Sequence, residues 1–291
     1  MAYGKNAPFG LRPVASIDGG TWSEKTNKYN IYTSADGLTT YTSAIFTGDP
    51  IVWGTSIGAT PAVDGSISTI AVYRPNYTDG TPATFTGTGA APIIGVFQGC
   101  EYTRADGVYV RSSYWPGNVA VLPGSEITAF ISDDARTVYE IQVSTNINAN
   151  ANAFVANPVF PNTNNNGAAP YVRAGSFGRN FALMIGGGTN FNTVVSPYGG
   201  TYANNPLTGN PKTGQSAFYL DACTTTGAGG ASHDYNKTVV DLPLRVLGYS
   251  TNSQNIAAPG LTMDTTPFIN VLVTLNNSVW TAKTAAPVFV D

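Results

Sequence analysis

Residues 269–275, with the sequence Ile-Asn-Val-Leu-Val-Thr-Leu, decide the fold class of this chain. Apolar side chains recur there at every second position, which is the period of a β-strand with one buried face. Residues 138–143, Val-Tyr-Glu-Ile-Gln-Val, repeat the alternation and predict an inward set of Tyr139, Ile141 and Val143. We expect the C-terminal strand to complete a sheet that begins upstream.

Turn residues punctuate most of the remaining chain at short intervals. Within residues 46–53, a Gly48-Asp49-Pro50 turn is predicted between two β-rich pieces, because glycine tolerates positive φ and proline fixes its own φ. Further short strands are predicted at 92–97, at 107–111, at 118–122 and in a run that places Leu242, Leu244 and Val246 on one face. Few segments have helical periodicity, and Glu126–Arg136 is the best candidate for a short helix. The prediction is an all-β fold, an antiparallel sandwich or barrel-like (β-tulip-like) core.

Composition divides the chain into four parts. Residues 1–30 are interrupted by prolines and glycines, which predicts an extended N-terminal arm. Residues 31–145 form the predicted β core, and residues 236–291 supply the C-terminal strands that complete it. Residues 146–235 are rich in Asn and Gly but contain interleaved apolar residues, so they predict an ordered, loop-rich insertion or a second small β unit.

The chain is poor in the side chains that carry out chemistry. It has one His and two Cys, and 11% of its residues are charged, against about 25% in a typical domain. A net charge of -3 predicts no nucleic-acid partner. No apolar run approaches the roughly 20 residues of a membrane-spanning helix, so we expect no membrane partner. The N-terminal residues lack the apolar core of a signal peptide, which predicts synthesis and folding in a cytoplasm.

One catalytic pattern occurs, but its context opposes it. Residues 54–58, Gly-Thr-Ser-Ile-Gly, match a nucleophile elbow, and Asp221 and His233 follow in the order found in α/β-hydrolases. That elbow requires a helix after the serine, whereas Pro61 and Gly65 follow Ser56. We therefore predict no catalytic residue and no enzymatic activity.

The patterns for cofactors and metals are equally incomplete. Residues 87–92, Gly-Thr-Gly-Ala-Ala-Pro, lack the last small residue and the following helix of a dinucleotide fingerprint. Asp79 and the pair Asp133-Asp134 lack the regular spacing of oxygen ligands that Ca²⁺ requires. Cys100 and Cys223 predict free buried thiols, with a disulfide as the alternative. We expect no cofactor and no metal.

Aromatic residues and the arm are the candidates for a contact surface. Tyrosine and tryptophan combine apolar area with a polar group, which suits a carbohydrate or protein surface as well as a core. Two or three of the four tryptophans are expected in the core and one at an interface, with Trp22 in the arm and Trp115 beside Pro116 as the candidates, because both lie in predicted loops. The arm has two interpretations: it docks on a neighbouring subunit, or it is an ordinary first strand packed on its own domain.

Several segments, taken in order, extend over most of the chain. They are Asn-Ala-Pro-Phe-Gly-Leu-Arg-Pro-Val at 6–14, Phe-Thr-Gly-Asp-Pro-Ile-Val at 46–52, Ile-Gly-Val-Phe at 94–97, Val-Tyr-Glu-Ile-Gln at 138–142, Leu-Arg-Val-Leu-Gly at 244–248 and Val-Leu-Val at 271–273. Together they resemble the shared skeleton of a group of tailed-bacteriophage virion structural proteins that is similar to capsid decoration, or cement, proteins.

The resemblance implies a β-rich homo-oligomer, commonly a trimer, that binds the outer surface of an icosahedral capsid. It implies the major capsid protein as partner and stabilisation of contacts between capsid subunits as function. The residues expected at this interface are Phe9, Leu11, Arg12, Pro13, Trp22 and Trp115. The alternatives are a phage tail or fibre component, a glycan-binding β module and, third, a hydrolase. A major capsid protein is disfavoured, because no amphipathic run is long enough for a spine helix.

Overall fold

The computed structural model describes residues 7–41, 43–53, 69–72, 92–143, 180–185, 194–195, 201–202, 209–221, 243–252, 255–256, 259, 268–276 and 278–280. Within these ranges the chain forms strands and turns, with no helix. The strands are β1 (Arg12–Ser16), β2 (Asn27–Ile31), β3 (Ile45–Phe46), β4 (Pro50–Trp53), β5 (Thr69–Val72), β6 (Gly95–Thr103), β7 (Tyr109–Ser112), β8 (Tyr114–Trp115), β9 (Ile127–Ser132), β10 (Thr137–Gln142), β11 (Asn180–Ile185), β12 (Val194–Val195), β13 (Thr201–Tyr202), β14 (Gly209–Asn210), β15 (Gln215–Ser216), β16 (Phe218–Asp221), β17 (Leu244–Tyr249) and β18 (Asn270–Leu275).

One six-stranded sheet is antiparallel throughout and has the order β1-β10-β18-β17-β11-β16. β10 lies between the N-terminal and C-terminal strands, so that Tyr139 faces Pro13 on one side and Val273 on the other. The apolar stripe predicted in residues 269–275 is confirmed, since all four of its alternating side chains are buried. β18 does complete a sheet begun upstream.

β10, the strand next to the edge strand β1, is buried on both faces. Tyr139, Ile141 and Val143 are buried as the alternation predicts. Glu140 and Gln142 are buried as well, although a strand with one solvated face would expose them. Polar groups of the chain cover this second face, and the Glu140 carboxylate bonds to three of them.

The second six-stranded sheet has the order β4-β5-β2-β9-β6-β7, and an additional pairing of β4 with β6 curls it into a half-barrel. The sheet can curl because β6 pairs with two strands on the same side. Its first residues, Gly95 and Val96, pair with β4, and Cys100–Thr103 pair with β7. A bulge between Phe97 and Gly99 bends the strand between these two parts. The all-β, barrel-like prediction is therefore confirmed. One hydrophobic core cluster contains residues of both sheets.

Residues 47–49 join β3 to β4, so the turn predicted at Gly48-Asp49-Pro50 lies one residue earlier, and Pro50 begins β4. Gly48 has a φ of 94°, in the left-handed region that glycine tolerates. Asp49 is buried, and its Oδ2 accepts a hydrogen bond from the backbone N–H of Phe46 at 2.9 Å. The carbonyl of Gly48 accepts a hydrogen bond from the N–H of Leu11 at 2.9 Å. The turn thus anchors the N-terminal segment to the core.

Two local predictions are wrong. Residues 126–136 form no helix: β9 occupies Ile127–Ser132 and pairs with β2 and β6. Its alternating apolar side chains are buried, so the period of two overrides the helical interpretation. Residues 118–122 form no strand, and only Val121 makes an isolated bridge, to Arg104.

The predicted insertion at residues 146–235 is described only in part. β11 and β16 come from this range, pair with each other, and extend the first sheet through β17. These two strands are thus part of the main architecture. Ser56, His233, Cys223 and Asp79 lie outside the described residues, as do positions 87–91 of the glycine-rich motif.

Candidate partner-binding surface

The N-terminal segment pairs with a strand of its own chain. β1 is an edge strand that pairs with β10, as the second interpretation of the arm proposed. Leu11 and Pro13 are buried in this position. A proline is tolerated at a sheet edge because the edge strand does not need every N–H for pairing. Leu11 and Pro13 therefore pack inside the protein, which corrects their assignment to a partner interface.

Arg12 and Phe9 remain at the surface beside this edge. The Arg12 side chain is 48% exposed, and its guanidinium carbon lies 4.7 Å from the centroid of the half-buried Phe9 ring. The same guanidinium forms an ion pair with Glu140, in which Arg12 Nε lies 3.1 Å from Oε2. An exposed face of Arg12 and Phe9 is available to a partner, so their predicted role stays a prediction.

Glu140 is the buried carboxylate that this arginine compensates. Ser250 Oγ donates a hydrogen bond to Glu140 Oε1 at 2.6 Å, and Asn270 Nδ2 donates to the same oxygen at 3.1 Å. A buried charge is tolerated only when it is paired and hydrogen-bonded, and all these partners come from the same chain. The first role of Arg12 is thus to stabilise the fold.

The two tryptophans predicted at an interface differ in their surroundings. Trp115 is 0% exposed; its Nε1 donates to the carbonyl of Tyr41 at 2.9 Å, and its ring meets Tyr102 edge-on at 5.1 Å. It is a core residue, and the prediction that it meets a partner is corrected. The short strand β8, which pairs with β3, carries it inward. Trp22 is half-buried and stays a candidate.

Four exposed apolar side chains that the sequence analysis missed lie at one end of the second sheet. We call this surface the apolar tip, and its residues are Leu38, Val108, Tyr109 and Leu122. Three loops carry or adjoin them, and backbone hydrogen bonds join these loops: Val121 N–H to Gly37 O at 2.9 Å, and Leu122 N–H to Thr103 O at 2.9 Å. A leucine after the Asp36-Gly37 turn was the available sequence signal.

The loop that presents Leu38 is held by its own hydrogen bonds. Asp36 Oδ1 accepts from the N–H of Leu38 at 3.0 Å and from the Ser34 hydroxyl. The pKa of Asp36 is lowered below its usual value, mainly by the hydrogen bond from the Ser34 hydroxyl and to a lesser extent by the hydrogen bond from the Leu38 N–H. Leu38 is nevertheless 69% exposed. A rigid loop that displays a leucine loses little conformational entropy when it binds another surface.

Charged groups next to the apolar tip have partners within the chain. Arg104 Nη2 lies 2.8 Å from Asp106 Oδ2, and Lys28 Nζ lies 3.6 Å from Glu101 Oε1. The Tyr109 hydroxyl donates to Glu101 Oε2 at 2.8 Å. Contact with an uncharged protein surface would thus leave few of these charges without a counter-charge.

Other kinds of site receive no support from the described ranges. They contain no group of three or more His, Cys, Asp or Glu side chains that could hold a metal ion. No helix in the same ranges is long and apolar enough to cross a membrane. No protein family, curated protein or solved structure matches the chain.

Proposed function

We propose that this chain is a non-enzymatic virion structural protein, a decoration or cement protein of a tailed bacteriophage. It binds the outer surface of an icosahedral capsid and stabilises contacts between adjacent major capsid subunits. The observation that supports this proposal best is the apolar tip. Exposed apolar side chains gathered at one place are typical of protein interaction sites, whereas singly scattered ones carry no such meaning.

The physical effect follows from selective binding. A protein that binds the assembled lattice and not the free capsid subunit shifts the assembly equilibrium towards the lattice. A homotrimer presents three apolar tips at once, and this multivalency raises the effective concentration of each contact. Such a function needs no catalytic residue, cofactor or metal.

The structure changes which residues we propose for the contact. The apolar tip supplies the main area, while Phe9, Arg12 and Trp22 remain as additional candidates on the N-terminal segment. The segment does not act as a free clamp in our proposal, because β1 is paired with β10. Deleting residues 1–22 would therefore test folding as much as binding.

Point variants in the apolar tip test the proposal without removing a strand. The double variant Leu38→Asp/Leu122→Asp places two charges on the exposed surface, and the control Leu247→Asp changes an exposed leucine on β17 of the other sheet. We expect the double variant to bind preassembled shells of the major capsid protein at least about tenfold more weakly, since each leucine contributes about 1–2 kcal/mol of apolar burial. Co-sedimentation with the shells measures this.

Three outcomes of this experiment distinguish a wrong docking surface from a wrong function. Equal binding of the double variant and wild-type protein would exclude the apolar tip as the docking surface. Absence of any wild-type binding to shells would contradict the decoration function itself. Binding to isolated tails but not to shells would favour the alternative of a tail or fibre component.

A further inference from the structure

A second surface feature lies at the opposite end of the second sheet. It is a groove of about 490 Å³, and its lining residues are Lys25, Thr26, Asn27, Asp133, Asp134 and Trp280. β2 and β9 are antiparallel neighbours, with Asn27 opposite Ile131 and Ile31 opposite Ile127. The groove lies where β2 begins and β9 ends, whereas the apolar tip lies where β2 ends and β9 begins. The two surfaces therefore lie at opposite ends of these two strands.

Trp280 forms a fixed aromatic platform in the groove. Its Nε1 donates a hydrogen bond to the carbonyl of Ile94 at 3.0 Å, and its backbone N–H donates to Ser278 Oγ at 3.2 Å. The residue is nevertheless 51% exposed. The indole N–H of Trp280 thus already has an acceptor within the chain, while about half of the residue is exposed to solvent. Such a ring offers an apolar stacking surface at a low entropic cost.

Asp133 stands beside this platform in a fixed orientation. Asn27 Nδ2 lies 2.9 Å and 3.0 Å from its two carboxylate oxygens, and the Tyr29 hydroxyl donates to Oδ2 at 2.5 Å. Burial, and then the bonded Asp133, raise the pKa of Tyr29, so the phenol keeps its proton and remains the donor. A carboxylate has about four acceptor positions, so Asp133 can accept a further bond.

Asp134 and Lys25 add polar groups of opposite character. Asp134 Oδ1 accepts from the backbone N–H of Arg136 at 2.9 Å and keeps free acceptor positions. Lys25 lines the groove with three ammonium donors and takes part in no ion pair among the described residues. The groove thus presents hydrogen-bond acceptors and donors around one exposed ring.

We propose that this groove binds a neutral carbohydrate. A pyranose ring has an apolar face, which would stack on Trp280, and a rim of hydroxyl groups that both donate and accept. Asp133 and Asp134 accept from these hydroxyls, and Lys25 donates to them. The volume lies within the range of small-molecule sites, which combine apolar contact with a few placed polar groups.

The inference goes beyond the proposed function and does not depend on it. If the apolar tip is seated on a capsid, the groove points away from the shell, where surface glycans of a host are accessible. A decoration protein with this geometry stabilises the capsid at one end and holds a sugar at the other. The two surfaces share no residue, so variants can separate them.

Titration with defined sugars tests the carbohydrate site. The probes are linear tetrasaccharides of glucose, galactose, mannose and N-acetylglucosamine, measured by isothermal calorimetry on the full chain. We expect at least one probe to bind with a Kd of about 0.1–1 mM, as is reasonable for an open groove. Trp280→Ala should remove detectable binding, and Trp280→Phe should retain most of it, because the stacking ring persists.

Two further variants control for folding and position. Asp134→Ala should weaken binding severalfold while leaving the platform in place, and Tyr109→Ala, which removes an exposed ring at the apolar tip, should leave sugar binding unchanged. The inference is overturned if none of the four probes binds, or if Trp280→Ala binds them as the wild type does. Binding of tetramethylammonium with no sugar binding would also overturn it, in favour of a cation site. Trp280→Ala should bind capsid shells normally. Failure of the carbohydrate site can therefore be distinguished from failure of the decoration function.

Discussion

The guanidinium of Arg12, on edge strand β1, forms an ion pair with the carboxylate of Glu140 in the middle of β10. The Arg12 side chain is 48% exposed, whereas that of Glu140 is 2% exposed. A surface arginine therefore stabilises a charge inside the sheet. This contact helps to hold β1 against β10.

Replacing Arg12 by alanine should destabilise the protein. The Glu140 carboxylate would keep its bonds to Ser250 and Asn270 but lose its counter-charge, and such losses cost several kcal/mol in buried pairs. Because Arg12 is half exposed and water can partly replace it, we expect a loss of about 1–3 kcal/mol in the free energy of unfolding. Urea unfolding measures it.

The matched control is Arg136→Ala. Arg136 pairs with Asp18 at 3.9 Å, and both side chains are mostly exposed. An exposed pair contributes little to stability because water screens it, so this variant should unfold close to the wild-type midpoint. Equal effects of the two variants would show that Glu140 does not depend on Arg12.

Gly37→Ala should disrupt the apolar tip. Gly37 has a φ of 70°, and a Cβ built there would lie 2.2 Å from the carbonyl oxygen of Val121. The control Gly107→Ala has a similar φ of 82° but open space around the added carbon. Positive φ alone costs about 1–2 kcal/mol, so a larger loss for Gly37→Ala measures the clash. Thermal unfolding of the two variants distinguishes these effects, and equal losses would contradict the close packing of the tip loops.

Alkaline pH should weaken the fold. Burial, with Glu101 adding to it, raises the pKa of the Cys100 thiol from 9.0 to about 12, and burial also raises the pKa of Tyr139 above its usual 10.0. In the unfolded chain the thiol loses its proton above about pH 9 and the phenol above about pH 10, while the folded chain keeps both protons. The stabilisation is therefore complete below pH 9 and falls by up to about 1.4 kcal/mol per pH unit for each group as the pH rises.

Urea unfolding between pH 7 and about pH 11 measures this slope, and Cys100→Ala should reduce it. In the native protein the Cys100 thiol should also resist Ellman's reagent, because it is buried and protonated. Rapid labelling of Cys100 at neutral pH, or a free energy of unfolding independent of pH in this range, would contradict the burial of this group.

Strands with one apolar stripe could be predicted from the sequence. The stripe in 269–275 and the turn before Pro50 are correct because local pattern and tertiary structure agree there. The helix predicted over β9 is wrong because this strand, Ile-Thr-Ala-Phe-Ile-Ser, has only six residues and few turn signals. So short an alternation is difficult to distinguish from a helical pattern. The burial of Glu140 could not be predicted, since its partners on β1, on β18 and after β17 are distant in sequence.

The proposed contact surface was harder to predict than the fold. Leu11 and Trp115 are apolar residues in short segments, and only tertiary packing shows that both are buried. Leu38 and Leu122 are far apart in the sequence, and the bonds of Gly37 and Thr103 to the 121–122 backbone bring their loops to one end of the sheet. Exposure is a property of the folded chain, so single-sequence patterns give little information about it.

A cryo-EM map of the intact phage particle tests the central claim most directly. We predict density for this chain on the outer surface of the capsid, with the apolar tip against the major capsid protein and Trp280 directed away from the shell. Absence of the chain from purified particles, or density for it only inside the shell or only in the tail, would contradict the proposed function.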